Sequence, residues 1–195
     1  MDLDRFLRDP QSRRRFFRAS GVSLAGGSAV FLAACTDDTK LSQEEIGPDE
    51  SDAADVELLN SALDLELMAV AAYKAGAARL KGDVLQVGKL FLQHEQEHAD
   101  GLIAAIKDAG GKPNQARATY DFPELRTQRD VLRFAIDLEN TAIAAYIDLL
   151  PKLGEGDLRA TAAAILSNEA EHVAVLLGAL GEEQVPDAFV VGKVT

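Results

Sequence analysis

The sequence DLENTAIAAY at residues 137–146 decides the fold, because residues 64–73 repeat it as DLELMAVAAY at an offset of 73. A second block repeats at an offset of 74, where EQEH at residues 95–98 matches EAEH at residues 169–172. A repeat of this length is one supersecondary unit, and such a unit cannot bury its apolar face alone. We therefore expect a duplicated helical hairpin whose two copies pack on each other.

The composition favours long helices over a β-sandwich. The chain has 195 residues, of which 47% are hydrophobic but only 6% aromatic, and it contains no Trp. Aromatic and β-branched residues are enriched in strands, whereas the Ala and Leu that dominate here favour helices. The sequence predicts an all-α domain whose four helices span, to within a few residues, 53–80, 83–109, 128–152 and 157–180.

The connections between these helices are short, long and short. The short turns are residues 82–83 and 154–157, and we expect the aspartates within them, Asp83 and Asp157, to cap the following helices. The longer connection runs from residue 110 to residue 123. A four-helix bundle with one crossover connection has this pattern of loop lengths.

The apolar seams of the four helices are interrupted by ionisable side chains near their middle. These positions recur at alternating steps of four and three residues, as expected for one buried helix face. Burying an unpaired ion costs several kcal/mol even after relaxation, so a compensating charge is expected. Along the seam positions from Leu59 to Leu176, every ionisable group belongs to one set of six: Glu66, Glu95, His98, Glu139, Glu169 and His172.

Two divalent metal ions would neutralise this set. Four glutamates carry a charge of about −4 and neutral imidazoles carry none, and oxygen and nitrogen donors suit iron or manganese. The i, i+3 spacing of Glu95 and His98, and of Glu169 and His172, places both donors of a pair on one helix face. We therefore expect a centre of two iron ions or, alternatively, two manganese ions.

The ligand set resembles that of the ferritin-like superfamily of di-iron and di-manganese carboxylate proteins, in which two helices each give a Glu and two give Glu-x-x-His. More narrowly, YDFP at residues 120–123 and the blocks at 139–146 and 169–172 look like the secreted bacterial ferritin-like family that includes desiccation-related proteins. The resemblance covers residues 53–180. It implies a ferritin-like four-helix bundle made of two duplicated helical hairpins joined by a crossover loop.

The resemblance also implies roles for the six residues. Glu95 and Glu169 would bridge the two ions, and they would be the catalytic carboxylates if the site is redox active with dioxygen or peroxide. The terminal ligands would form two pairs, Glu66 with His98 and Glu139 with His172. Three functions stay open: an oxidoreductase of the ferroxidase or peroxide-reducing type in stress protection, a protein that only binds metal at the cell envelope, and a bundle whose metal is structural.

A second motif overlaps this ligand set. Residues 94–98 also satisfy His-Glu-x-x-His, the helix motif of zinc peptidases, in which His94 and His98 would bind zinc. That interpretation leaves three seam glutamates unexplained, and the second copy of the repeat has Asn168 where the first His would stand. We expect His94 to lie at the surface or beside the ligands instead.

Two tyrosines accompany the seam glutamates. Tyr73 and Tyr146 lie two helical turns after Glu66 and Glu139, on the same helix faces. One role for them is packing with a hydrogen-bonded hydroxyl, and the other is electron transfer to the metal pair.

The first 35 residues indicate export. Residues 12–18, SRRRFFR, resemble the twin-arginine motif, and the apolar stretch at residues 19–34 follows them. Residues 32–35, LAAC, look like a lipobox in which Cys35 is lipidated and becomes the first residue, which explains the only Cys of the chain. An uncleaved anchor is the alternative, but the apolar stretch is short for a spanning helix.

The protein would then be a lipoprotein that is exported by the twin-arginine translocation machinery and faces the periplasm or the cell exterior. We expect residues 36–52 to form a flexible acidic tether and residues 181–195 a C-terminal tail. Residues 1–34 hold six Arg and three Asp, so the rest of the chain carries a formal charge near −15. This acidity argues against a nucleic-acid partner. A lipid tether also argues against a closed storage cage but leaves room for a homodimer.

Overall fold

The computed structural model describes residues 50–192, and within them it contains four α-helices and no strand. The prediction of an all-α fold is confirmed. The export signal, Cys35 and residues 36–49 of the tether lie outside the described residues. The helices are α1 (Glu50–Gly76), α2 (Gly82–Asp108), α3 (Gln128–Leu149) and α4 (Gly156–Leu180).

Helices α1 and α3 end earlier than predicted, each in a single 3-10 turn. Ala77–Arg79 follows α1 and Leu150–Lys152 follows α3. Short 3-10 turns commonly tighten the end of an α-helix. In the second turn, Pro151 has no N–H to donate to the carbonyl of Ile147, so the α-helical pattern stops there.

The predicted caps at Asp83 and Asp157 are wrong. Lys81 and Glu155 occupy the N-cap positions of α2 and α4, and neither side chain bonds the helix N-terminus. Each Asp lies instead in the first turn of its helix, where its charge interacts favourably with the helix dipole. Both helices consequently begin one residue earlier than predicted.

Three other helix ends follow known capping patterns. Thr127 and Asp130 form a capping box at the start of α3, with Thr127 Oγ1 accepting from the Asp130 N–H at 3.2 Å and Asp130 Oδ2 accepting from the Thr127 N–H at 2.8 Å. Helices α2 and α4 are each followed by a glycine with positive φ, +75° at Gly110 and +76° at Gly181. Glycine adopts this left-handed conformation without a Cβ clash.

The two hairpins, α1 with α2 and α3 with α4, pack on each other chiefly through α1 and α3. These two helices run antiparallel, because Gly76 at the end of α1 lies against Val131 at the start of α3. At the other end, Asp55 near the start of α1 accepts from the N–H of Gly154, just after α3, at 2.9 Å.

The interior consists of two apolar clusters with a polar layer between them. One cluster lies toward the α1 N-terminus and contains Leu59, Leu63, Leu102, Ile106, Leu149 and Ile165, together with smaller side chains. The other contains Tyr73, Phe91, Leu132, Ile136 and Leu176. On every helix, the buried polar side chains of the middle layer lie between the residues of one apolar cluster and those of the other.

Helix α4 is the only helix within residues 50–192 that is long and apolar enough to cross a membrane by length and composition. It packs on α3 and carries Glu169 and His172 into the interior. These contacts are those of a bundle helix.

The C-terminal tail lies along α3 and α4. Arg133 of α3 pairs with Glu182. At the far end, Gly192 approaches α3 so closely that a Cβ atom there would lie 2.4 Å from backbone atoms of Asn140 and Ala144. A groove of about 310 Å³ separates the tail from the two helices.

Candidate metal centre

All six predicted residues meet in the polar layer at the middle of the bundle. The four glutamates and His172 are at most 1% exposed, whereas His98 is 12% exposed. Each helix contributes at the place that the repeat predicts: α1 gives Glu66, α2 gives Glu95 and His98, α3 gives Glu139, and α4 gives Glu169 and His172.

One half of the layer surrounds His98. Its Nδ1 atom lies 3.0 Å from Glu169 Oε1, 3.5 Å from Glu66 Oε2 and 3.8 Å from Glu95 Oε2. Three carboxylates from three different helices therefore face one imidazole nitrogen.

The other half surrounds His172 in the same way. Its Nδ1 atom lies 3.1 Å from Glu95 Oε1, 3.1 Å from Glu169 Oε2 and 3.4 Å from Glu139 Oε1. Each His thus contacts the Glu one turn before it on its own helix and the matching Glu of the opposite hairpin. The two hairpins are therefore related by an approximate two-fold axis through the layer.

The donor atoms form two groups, within each of which they lie no more than 4.8 Å from one another. Glu95 and Glu169 belong to both groups. The first group is completed by Glu66 and His98, and the second by Glu139 and His172.

Several of these donor atoms are buried without any hydrogen-bond partner among the described residues. They approach one another at 3.0 to 3.8 Å but do not adopt hydrogen-bond geometry. Buried polar atoms are nearly always satisfied, so such a cluster indicates an ion that the protein is built to hold. The residues present therefore fit a two-metal site, and the unpartnered atoms are Glu66 Oε2, Glu95 Oε1, His98 Nδ1, both Oε atoms of Glu169, and His172 Nδ1.

The two tyrosines donate hydrogen bonds across the hairpins. The Tyr73 hydroxyl donates to Glu139 Oε1, and the Tyr146 hydroxyl donates to Glu66 Oε1 at 2.5 Å. Burial and the adjacent carboxylate raise the pKa of both hydroxyls well above 10, so they remain donors. Tyr146 leaves the second oxygen of Glu66, Oε2, facing His98 at 3.5 Å. Tyr73 donates to the same oxygen of Glu139, Oε1, that lies 3.4 Å from His172.

Burial and the two histidines divide the glutamates into two kinds. Burial raises the pKa of Glu66 to about 8 and raises the pKa of Glu139 well above its usual value. Burial also opposes ionisation of Glu169, but the nearby His172 and His98 outweigh it and lower its pKa to about 2. The pKa of Glu95 is lowered for the same reason.

The histidines respond in the opposite direction. Burial opposes their charge, but the surrounding carboxylates raise the pKa of His98 to about 12 and that of His172 to about 11. Without metal, the layer therefore favours charged imidazoles beside the ionised Glu95 and Glu169, and burial favours the protonated form of Glu66 and Glu139. Divalent ions bound here would displace the protons that the histidines and glutamates hold.

Two residues outside the predicted ligand set lie next to it: Phe91, which the sequence did not single out, and His94, which it places at the surface or beside the ligands. The Phe91 ring stacks on His172, with ring centroids 3.9 Å apart. His94 Nδ1 lies 3.0 Å from His172 Nε2, and His94 belongs to neither donor group. A zinc peptidase would need His94 and His98 in one donor group, and only His98 belongs to one.

The family model described as "Ferritin-like domain" matches residues 54–182. The chain belongs to this family. The match includes all four helices of the bundle from early α1 to the end of α4. The ferritin-like domain is shown as a whole, whereas the likeness to its secreted, desiccation-related members stays a prediction.

Several solved structures share this ferritin-like fold. The dodecameric thioferritin of Bacteroides fragilis, a bacterioferritin-related protein, is 26% identical with a TM-score of 0.60, and the match covers 67% of this chain and 86% of that chain. A ferritin-like, diiron-carboxylate protein of Bacillus anthracis is 24% identical with a TM-score of 0.59, covering 68% and 99%. A conserved hypothetical protein of Mycobacterium tuberculosis is 22% identical with a TM-score of 0.62, covering 65% and 97%. No curated protein matches the chain.

Proposed function

We propose that this ferritin-like domain binds two iron or two manganese ions and uses them in redox chemistry. The observation that carries the proposal is the cluster of buried donor atoms without hydrogen-bond partners. The similar protein of Bacillus anthracis is described as a diiron-carboxylate protein, which supports iron. The same donors accept manganese. The ligands would be Glu66, Glu95, His98, Glu139, Glu169 and His172.

Bridging by Glu95 and Glu169 is part of this proposal. It is supported by their membership of both donor groups. Each offers one oxygen to each histidine side of the layer: Glu95 lies 3.8 Å from His98 through Oε2 and 3.1 Å from His172 through Oε1. A carboxylate with its two oxygens divided in this way suits two adjacent ions.

The chemistry would be electron transfer to a small oxidant. Two reduced ions held here would supply one electron each to dioxygen or peroxide. Tyr73 and Tyr146 would keep the terminal glutamates oriented through their hydroxyls. The apolar clusters on both sides would exclude bulk water. His98, the most exposed of the donors, marks the side from which ions or oxidant would enter.

The place of action is proposed from the N-terminal sequence. The SRRRFFR and LAAC motifs support export by the twin-arginine machinery and lipidation at Cys35, with the domain facing the periplasm or cell exterior. There it would protect the envelope by consuming iron, dioxygen or peroxide.

Replacement of Cys35 by Ala should release the chain from the membrane fraction, and replacement of Arg13 and Arg14 by Lys should keep it in the cytoplasm.

The test of metal binding is the metal content of the purified full-length chain. We expect about two iron or manganese ions per chain in the wild type and almost none after Glu95→Ala/Glu169→Ala. The matched control is Glu97→Ala/Glu171→Ala, because these glutamates have the same spacing but are exposed. The control should keep both ions.

Other results would redirect the assignment. One zinc ion per chain would favour the peptidase motif, and no metal with unchanged folding would leave a ferritin-like scaffold without this chemistry. If two ions are bound, dioxygen and peroxide consumption separates an oxidoreductase from a protein that only binds metal. If the metal is purely structural, chelation should lower the stability of the protein, and the protein should consume neither dioxygen nor peroxide.

A further inference from the structure

The two halves of the site differ at the position just before the shared glutamate. His94 and Asn168 are equivalent in the repeat. His94 reaches across to the opposite hairpin, where its Nδ1 lies 3.0 Å from Nε2 of His172. Asn168 donates instead to Glu171 on its own helix, at 3.3 Å.

The contact with His94 uses the nitrogen of His172 that a metal would leave free. Nδ1 of His172 faces three glutamates, so the ring N–H that remains on a ligating histidine is at Nε2. With a metal ion at Nδ1, Nε2 would therefore donate and His94 Nδ1 would accept. Such a bond fixes the tautomer and orientation of a ligating imidazole and increases its basicity.

Ring packing distinguishes the halves in the same direction. The Phe91 ring stacks on His172, with ring centroids 3.9 Å apart and an interplanar angle of 26°. The His94 ring is nearly parallel to the His172 ring, with an interplanar angle of 12°. The residue equivalent to Phe91 in the second copy is Ile165, which offers no aromatic face. His172 is 1% exposed, and His98 is 12% exposed.

We infer that His94 is a positioning residue for His172 and makes the His172 half of the site hold its ion more tightly than the His98 half. The inference rests on the proposed two-metal function. It predicts one retained ion, on the side of Glu139 and His172, and one more readily exchanged ion, on the side of Glu66 and His98.

The test is a calorimetric titration of the metal-free full-length chain with Mn²⁺ and, without oxygen, with Fe²⁺. The wild type should bind two ions in two separate steps. Replacement of His94 by Phe keeps the ring but removes the acceptor nitrogen, and it should raise the Kd of the tighter step about 10- to 100-fold. His94→Gln restores an acceptor and should recover most of the affinity, which a merely structural role would not predict.

The reverse substitution tests the weaker half independently. Asn168→His should lower the Kd of the weaker step, because the new ring can reach His98 as His94 reaches His172. Glu139→Gln and Glu66→Gln assign the steps: Glu139→Gln should remove the tighter step and Glu66→Gln the weaker one. Circular dichroism checks that each variant is helical, and if His94→Phe does not fold, Asn168→His decides alone.

The results separate the two proposals. Two ions in the wild type, with both dissociation constants unchanged in His94→Phe and Asn168→His, would overturn the role of His94 and leave the two-metal function intact. Wild-type protein that binds neither metal would overturn both.

Discussion

Each buried tyrosine hydroxyl is the donor for a glutamate of the other hairpin. Replacing Tyr73 by Phe leaves Glu139 Oε1 buried without its donor, which should lower the free energy of unfolding by about 1–3 kcal/mol. Urea denaturation of the metal-free protein measures this. The control is Tyr120→Phe, a half-buried tyrosine whose hydroxyl accepts from the Arg117 N–H at 3.2 Å. Equal losses in both variants would contradict the special role of Tyr73.

The stability of the metal-free protein should fall as the pH rises from about 6 to 9. The folded-state pKa of Glu66 is raised from 4.5 to about 8, so its contribution to stability is full below pH 4.5 and is lost as the pH rises through 8. His98 and His172, with pKa raised from 6.5 to about 12 and 11, contribute fully below pH 6.5 and lose that contribution as the pH rises further. All three act in the same direction over this range.

Differential scanning calorimetry measures this dependence. We expect the Tm of the metal-free protein to drop by on the order of 5 °C or more between pH 6 and pH 9. The metal-loaded protein is the control, and its Tm should fall less because its ligands have already lost their protons. A Tm of the metal-free protein that rises over this interval would show that the glutamates and histidines of the layer are not coupled as described.

Among the elements, α1 holds the turn between α3 and α4 through one buried carboxylate. Asp55 accepts from the N–H of Gly154 at 2.9 Å and from that of Glu155 at 3.4 Å. Asp55→Ala removes this charged acceptor and should cost about 1.5–3 kcal/mol in chemical denaturation. Glu57→Ala is the control, because Glu57 is exposed on the same helix. A change below about 0.5 kcal/mol at Asp55, as for a surface site, would contradict the anchoring role.

The helices and the six-residue layer could be predicted because both depend on local spacing. An α-helix repeats its buried face every three or four residues, so the seams could be followed without knowing the partners. Among the positions on these buried faces, the duplication then identifies those at which the ionisable residues recur in both copies. The predicted caps were wrong for a local reason. Gly82 and Gly156 already begin their helices, so Asp83 and Asp157 lie two residues after the N-cap positions.

Two polar contacts between distant residues could not be predicted from this spacing. The helical spacing places Asp55 on the buried face of α1, four residues before Leu59. It does not identify the partner of Asp55, because Gly154 is 99 residues away. The contact of His94 with His172 joins residues 78 apart and depends on the rotation of α2 and α4 about their axes. Sequence spacing does not specify that rotation accurately enough to place two side chains at hydrogen-bonding distance.

In the whole molecule, neither hairpin contains a complete half of the site. His98 takes its closest carboxylate, Glu169, from the other hairpin, and His172 takes Glu95 at 3.1 Å in the same way. Breaking the chain between residues 116 and 117, within the crossover connection, should therefore give two fragments that bind no metal pair as monomers. An equimolar mixture should regain about two ions per complex, measured by metal analysis after size exclusion.

A mixture in which one fragment carries Glu95→Ala is the control for this experiment. It should still associate, because the apolar clusters that join the hairpins are unchanged, but it should retain almost no metal. Full metal binding by either fragment as a monomer would show that the site does not depend on both hairpins.

The approximate two-fold axis also has a genetic consequence. A symmetric dimer of identical hairpins would carry the same residue at both positions before the shared glutamates, because one coding sequence would specify both copies. Here the copies are joined in one chain, so a single mutation can alter one half without altering the other. The pair His94 and Asn168 is an instance of that freedom, and it allows selection to adjust two neighbouring metal positions separately within a fold that remains nearly symmetric.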